Sequence, residues 1–144
     1  MSAPATPPAT APLLALRGAI VARLAGDAPL AALMGGRVRL LDEPPRGSAP
    51  VYAVFGDGEA RDDAVDGARR HRHALALVVF ARPGSIRTAL EAAERIAVLL
   101  DDALLALDGH ALILLRVEAM AARRDERTGE ARATLTLAAV TEAA

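Results

Sequence analysis

The sequence predicts an α+β fold, with a long helix and an N-terminal helix packed on one face of a mainly antiparallel sheet of about five strands. Three patterns indicate this fold. Residues 74–81 are all apolar, as in a strand that is covered on at least one face. Apolar residues then recur at alternating three- and four-residue spacing from Ile86 to Leu107, which is typical of an amphipathic helix. Near the C-terminus, two alternating segments separated by the charged residues 123–130 predict a β-hairpin.

Length and composition indicate one domain. The chain has 144 residues and a formal net charge of −1, which is enough for a single hydrophobic core. We expect a flexible lead-in over residues 1–12 and one domain over residues 13–142. All 17 basic residues are arginine, and Cys, Lys, Asn and Gln are absent, which excludes a thiol or lysine nucleophile and a Cys-ligated zinc site. No apolar run approaches the roughly 18 residues of a membrane span, so we expect no membrane partner.

Two helices are predicted at the N-terminus. Residues 12–25 place Leu13, Leu16, Ile20 and Leu24 on one helical face. Asp27 is expected to cap a second, short helix that has Pro29 in its first turn and ends at Gly35-Gly36.

Two short strands should follow. Residues 37–41 alternate polar and apolar, which predicts a half-buried strand, and a Pro-rich connection over residues 42–50 leads to a second strand at 51–55. Residues 56–70 are charged and poor in apolar side chains. We predict a long, mobile loop there, because the segment is too polar to pack and too long for a tight hairpin.

The remaining elements form a strand–helix unit and a hairpin. Ser85 is the expected N-cap of the long helix, and Asp108-Gly109 its expected end. In the strand at 111–122 we expect Ile113, Leu115 and Val117 on one face, and Leu112, Leu114, Arg116 and Glu118 on the other. The strand at 131–141 places Leu135 and Leu137 opposite Thr134 and Thr136. The predicted order is therefore helix, short helix, three strands, helix and two strands.

Candidate chemistry is sparse. His71 and His73 share one side of a strand and could jointly bind a metal, but no third ligand is evident, and an exposed strand entry is the favoured interpretation. The carboxylates of residues 57–66 do not follow the spacing of a calcium loop. Ser85 lacks the second glycine of a nucleophile elbow. We therefore predict no enzymatic activity, no metal and no cofactor.

Several strings, taken in order, resemble a known family. They are DAPLAALMGGRV at residues 27–38, APVYAVFGDG at 49–58, HRHALALVVFAR at 71–82 and GSIRTALEAAERIAVLLDDAL at 84–104. Preceded by an amphipathic helix and followed by a hairpin, they are similar to the small tail-completion or tail-terminator proteins of long-tailed phages and gene transfer agents. The resemblance runs from about Leu13 to Thr141.

The resemblance implies a structural protein. Six copies would form a ring that ends the tail tube and joins it to the head-tail connector or stopper protein, with double-stranded DNA passing through the lumen. The protein would be cytoplasmic during assembly and then part of the particle at the head–tail junction. A net charge near zero suits such a conduit, because strong phosphate neutralisation would retain DNA. The alternatives are another head–tail joining ring such as a stopper, a small ligand-binding or regulatory α+β domain, and a hydrolase built on Ser85 or the loop carboxylates.

The charged loop and the charged hairpin tip are natural arms for reaching neighbouring subunits, the tube or the connector. The candidate interface residues are Asp57, Glu59, Arg61, Asp62, Asp63, Asp66, Arg69 and Arg70 in the loop, and Arg123, Arg124, Asp125, Glu126 and Arg127 in the hairpin.

Overall fold

The computed structural model describes residues 10–43, 50–81 and 85–144. Most of the expected lead-in, most of the Pro-rich connection and the turn at Pro83-Gly84 lie outside these residues. The three helices are α1 (Pro12–Ala25), α2 (Ala28–Leu33) and α3 (Ile86–Leu100). The six strands are β1 (Leu40–Leu41), β2 (Val51–Asp62), β3 (Arg70–Ala81), β4 (Ala106–Leu107), β5 (His110–Arg124) and β6 (Ala131–Ala143).

The strands form one sheet in the order β1-β2-β3-β6-β5-β4. Its central pair, β3 and β6, is antiparallel and runs without a register break from the pair Arg70 and Glu142 to the pair Ala81 and Ala131. The other pairs are also antiparallel except β1 with β2. The predicted α+β class with a mainly antiparallel sheet is therefore confirmed, with one more strand than expected.

The core lies between one face of this sheet and the helices. Alternate residues of β3 and β6 point into it, among them Leu75, Leu77, Leu135 and Leu137, which are at most 2% exposed. The helix α3 contacts β3, β5 and β6 and buries Ala89, Ala92, Ala93, Ile96 and Leu100 against them. The small alanines let the helix approach the sheet closely, and the larger side chains fill the space around them.

The predicted helix starts are confirmed. Helix α1 begins at Pro12 and buries Leu16, Ile20 and Leu24 completely. Asp27 caps α2 by accepting the Leu30 N–H at 2.9 Å, and Ser85 caps α3 by accepting the Thr88 N–H at 3.2 Å. These side chains satisfy N–H groups that the first helical turn leaves unpaired.

Asp27 also joins the N-terminal helices to α3. Its two carboxylate oxygens accept hydrogen bonds from Nε and one terminal nitrogen of Arg95 on α3, at 2.8 and 2.7 Å. This two-pronged contact lowers the pKa of Asp27 to about 2, with the Arg95 hydrogen bond as its largest cause. The carboxylate is therefore ionised at any pH near neutrality, and it holds the turn after α1 against α3.

The predicted end of the long helix is wrong. The helix ends at Leu100, because Asp101 leaves the helical conformation and Asp102 adopts a positive φ of 58°. The Asp102 N–H then donates to the Leu115 carbonyl at 2.9 Å, and Asp101 Oδ1 accepts the Val117 N–H at 2.9 Å. The apolar spacing continues past this point, but Leu104 is 96% exposed.

The predicted faces of the fifth strand are also wrong in part. The register between β5 and β6 shifts between Leu112 and Leu114 and again between Val117 and Ala119. Each shift inserts one residue in β5, so the side chains that face the core do not alternate strictly. Leu115 is buried, and Leu112, Val117 and Met120 are half-buried against the core. Ile113, expected beside Leu115, is 51% exposed.

The shifted register of β5 provides a stability test. Leu115→Ala should lower the free energy of unfolding by about 2–5 kcal/mol, because Leu115 is 1% exposed and its truncation leaves a cavity in the core. Ile113→Ala should cost less than about 1 kcal/mol. Urea denaturation of the two variants measures the difference. Equal losses would contradict the register described here.

Candidate assembly surfaces

The segment predicted as a long mobile loop is a β-hairpin. Strand β2 continues to Asp62, β3 begins at Arg70, and residues 58–62 pair directly with residues 71–75. The prediction failed because strand ladders are made by backbone groups, so polar side chains do not prevent them. We call residues 58–75 the first arm.

The Asp66-Gly67 dipeptide at the tip was the signal for this hairpin. Asp66 and Gly67 have φ values of 51° and 80°, and Val65 and Ala68 bridge across them with an Ala68 N–H to Val65 carbonyl bond of 3.0 Å. Two successive positive φ angles make the tight turn that joins antiparallel strands, and Asp-Gly is a favoured sequence for it.

The candidate residues of the first arm are distributed along its whole length. Asp57 lies at the register shift before the arm. Glu59, Arg61 and Asp62 are on β2, Asp63, Asp66 and Arg69 are in the connection, and Arg70 begins β3. Glu59 and Arg61 form an ion pair, Asp63 binds Arg72 at 3.2 Å, and Arg70 lies 3.8 Å from Glu142. These surface pairs organise the arm but contribute little stability.

A second arm is formed by residues 119–136 of β5 and β6. Arg123 and Arg124 end β5, while Asp125, Glu126 and Arg127 lie in the turn. The Asp125 N–H donates to the Glu130 carbonyl at 2.8 Å, and Asp125 Oδ1 accepts the Arg127 N–H at 2.9 Å. The predicted hairpin with a charged tip is confirmed.

The two arms do not meet. The first arm lies beside the C-terminal end of β6, where Arg70 pairs with Glu142, and the second arm contains its N-terminal end, where Ala131 pairs with Ala81. Within each arm the candidate residues are neighbours, but the two groups occupy opposite ends and opposite edges of the sheet. The protein therefore presents two separate charged surfaces.

The histidines do not form the metal site considered from the sequence. His73 is 4% exposed, and its Nε2 shares a 2.8 Å hydrogen bond with Thr141 Oγ1. His110 instead donates Nε2 to the Thr10 carbonyl at 2.7 Å. Within residues 10–43, 50–81 and 85–144, no group of three or more His, Cys, Asp or Glu side chains is arranged to hold a metal ion. From the sequence, His73 was expected at an exposed strand entry, whereas the structure buries it at the polar end of the core.

Burial makes His73 a neutral imidazole. Desolvation, followed by the nearby charges of His71 and His110, lowers its pKa from 6.5 to about 4. Its Nδ1 is buried and has no hydrogen-bond partner among the described residues, which also disfavours protonation. The unfolded chain therefore binds a proton between pH 6.5 and 4 that the folded chain excludes.

The free energy of unfolding should consequently fall by up to about 3 kcal/mol as the pH is lowered from 6.5 to 4. The contribution of His73 should level off below pH 4. Urea denaturation across this range measures the slope. His73→Phe should remove most of it, whereas Thr141→Val, which keeps the imidazole, should retain it. A wild-type protein of constant stability between pH 4 and 6.5 would contradict the assignment.

An α+β domain with two exposed charged hairpins at opposite ends of a rigid sheet is suited to binding other proteins through its surfaces. No helix in the described part of the chain is both long and apolar enough to cross a membrane. Ser85, the one serine considered as a nucleophile, is engaged as a helix cap.

Comparison with known proteins identifies the family. The family model described as Tail completion protein gp17 matches residues 18–142, and the chain belongs to this family. Among solved structures, it is similar to a chain of the "virion of native gene transfer agent (GTA) particle". The TM-score is 0.82 and the identity 28%, over 92% of this chain and 99% of that one. No curated protein matches the sequence.

Proposed function

We propose that the protein is a structural component of a phage-like particle, in which six copies form a ring that ends the tail tube and joins it to the head-side connector. The observation that carries this proposal is the family match over residues 18–142. The similarity to a chain of a gene transfer agent virion, at 28% identity over nearly the whole of both chains, supports it.

The two arms support a role in assembly rather than catalysis. A ring needs two different surfaces on each subunit, because every copy contacts one neighbour with one surface and the other neighbour with the second. The first and second arms are such a pair, since they lie at opposite corners of the same sheet. The proposed role requires no enzymatic activity, metal or cofactor.

The proposed partners follow from the position of the ring. One side contacts the tail tube protein, the other contacts the connector or stopper protein, and double-stranded DNA passes through the lumen. The overall charge of −1 fits a passage that does not retain DNA by neutralising its phosphates. The ring would assemble in the cytoplasm and then remain in the particle at the head–tail junction.

A producer strain that lacks this chain tests the function. We expect separate heads and unjoined tails, because the tail has no completed end for the connector to bind. Wild-type protein supplied in trans should restore joined particles, counted by negative-stain electron microscopy. Normal numbers of joined, DNA-containing particles without the protein would contradict the proposal.

Shortening the first arm tests its role separately from folding. In one variant an Asp-Gly turn replaces residues 62–71, so that Arg61 and Arg72 flank the new turn as Val65 and Ala68 flank the native one. The deleted residues carry none of the large buried apolar side chains, so we expect a folded protein by circular dichroism that no longer completes tails. Joined particles at the wild-type level would show that the arm is dispensable.

A further inference from the structure

The outer edges of β2 and β5 are each covered over one half and open over the other. On β2, β1 pairs only with Ala53 and Val54. On β5, β4 pairs with His110 and Ala111, and the Asp101-Asp102 turn takes the Leu115 carbonyl and the Val117 N–H. Among the described residues, nothing pairs with the outer side of residues 58–62, the β2 edge, or of residues 119–124, the β5 edge. Native proteins normally cover or interrupt such edges.

We propose that the β5 edge of one copy pairs with the β2 edge of the next copy, and so joins neighbouring subunits of the proposed ring into a continuous sheet. This inference rests on the proposed ring, and it specifies which parts of each subunit meet. The strands β2 and β5 run in opposite directions within one sheet. Two copies placed side by side in the same orientation therefore bring these edges together antiparallel.

The backbone groups of both edges are available for this pairing. The Asp63 N–H donates to the Arg70 carbonyl and the Asp125 N–H to the Glu130 carbonyl, each at 2.8 Å. Inward and outward bonding residues alternate along an antiparallel strand. Gly58, Ala60 and Asp62 therefore point their N–H and carbonyl groups outward on the β2 edge. Met120, Ala122 and Arg124 do so on the β5 edge.

The pairing also keeps the helices of neighbouring copies on the same face of the joined sheet. Ala60 lies opposite His73 and Ala122 opposite Ala133, and both partners face the helical layer. Pairing Ala60 with Ala122 thus places the helices of both copies on the same face of the joined sheet. In this register, all three outward residues of each edge are matched.

The charges of the two edges are complementary in that register. Residues 58–62 of the β2 edge carry two acids, Glu59 and Asp62, and one base, Arg61, whereas residues 119–124 of the β5 edge carry Arg123 and Arg124 and no acid. When Ala60 is opposite Ala122, Glu59 is opposite Arg123. Opposite charges at directly facing positions stabilise a strand pair, and like charges destabilise it.

The displacement between the two edges is compatible with closure. From one β2 to the next the joined sheet advances by four strand spacings, about 19 Å, and the register shifts the copies along the strands by about 20 Å. Strands would then be inclined at about 45° to the ring axis, close to the tilt of about 35–45° in closed barrels. Together, the two displacements place each copy about 28 Å from the next. Six such steps give a ring about 50 Å across, which is wide enough for a DNA duplex.

Charge reversal tests the pairing. Glu59→Arg and Arg123→Glu should each weaken ring formation about tenfold or more, because like charges would face each other at every interface. An equimolar mixture of the two variants should restore rings, since alternating copies again oppose Arg and Glu. Glu94→Arg, an exposed charge reversal on α3, is the matched control and should assemble normally. Oligomer mass by light scattering is the readout, and circular dichroism confirms folding.

Cysteine cross-linking tests the register, using the absence of native cysteine. A Glu59→Cys plus Arg123→Cys variant should give an oxidised ladder of up to six copies on a non-reducing gel, both in purified protein and in particles. Within one chain the two edges are about 14 Å apart across the strands, too far for a disulfide. Arg61→Cys plus Arg123→Cys, two residues out of register, should not give the ladder.

The outcomes distinguish the inference from the function on which it rests. Rings that persist in both charge variants, or that form without the Glu59–Arg123 cross-link, would overturn the edge pairing and leave the proposed function standing. If wild-type protein forms no ring either in solution or in particles, the proposed function falls and the inference falls with it.

Discussion

The uninterrupted ladder between β3 and β6 is the constraint on which the rest of the structure depends. Its register, from Arg70 with Glu142 to Ala81 with Ala131, aligns the apolar residues of both strands on one face, and α3 can then bury that face. The same register fixes the positions of the two hairpin arms. Because neither central strand contains a bulge, the arms are held at opposite ends of a rigid sheet, and a slip of one residue would expose the core.

The apolar core and the charged arms occupy different parts of this sheet. The middle is apolar and tightly covered, whereas the arms carry charged pairs that contribute little to folding. His73 and Thr141 lie where the two regions meet, and their buried hydrogen bond pairs His73 Nε2 with the Thr141 hydroxyl. Arms of this kind can vary in sequence and length without loss of the fold, which suits surfaces that must fit particular partners.

Much of the fold could be predicted from the sequence because its signals are local. Asp27 and Ser85 mark helix starts through their own side chains, and the alternation around Leu135 and Leu137 directly reports a half-buried strand. The errors arose where distant parts of the chain decide the outcome. The helix ends at Leu100 because Asp101 and Asp102 bind β5, and the bulges in β5 are visible only against β6.

The candidate surfaces were predicted less completely than the core. The charged residues of both arms were identified, but as a mobile loop and a hairpin rather than as two hairpins at opposite corners. Composition indicates that a segment is polar, but not whether its backbone pairs with a neighbouring strand. The open halves of the edges could not be found from the sequence, since they are defined by what β1, β4 and the Asp101-Asp102 turn leave uncovered.

The proposed closed ring at the end of the tail can be observed in intact particles. Reconstruction of the head–tail junction of intact particles by electron cryo-microscopy, without imposed symmetry, tests it most directly. The account predicts a six-fold layer between tube and connector into which the α+β subunit fits, with its sheet edges facing the neighbouring copies. A junction in which this subunit is absent, or is present as isolated copies without contacts between them, would contradict it.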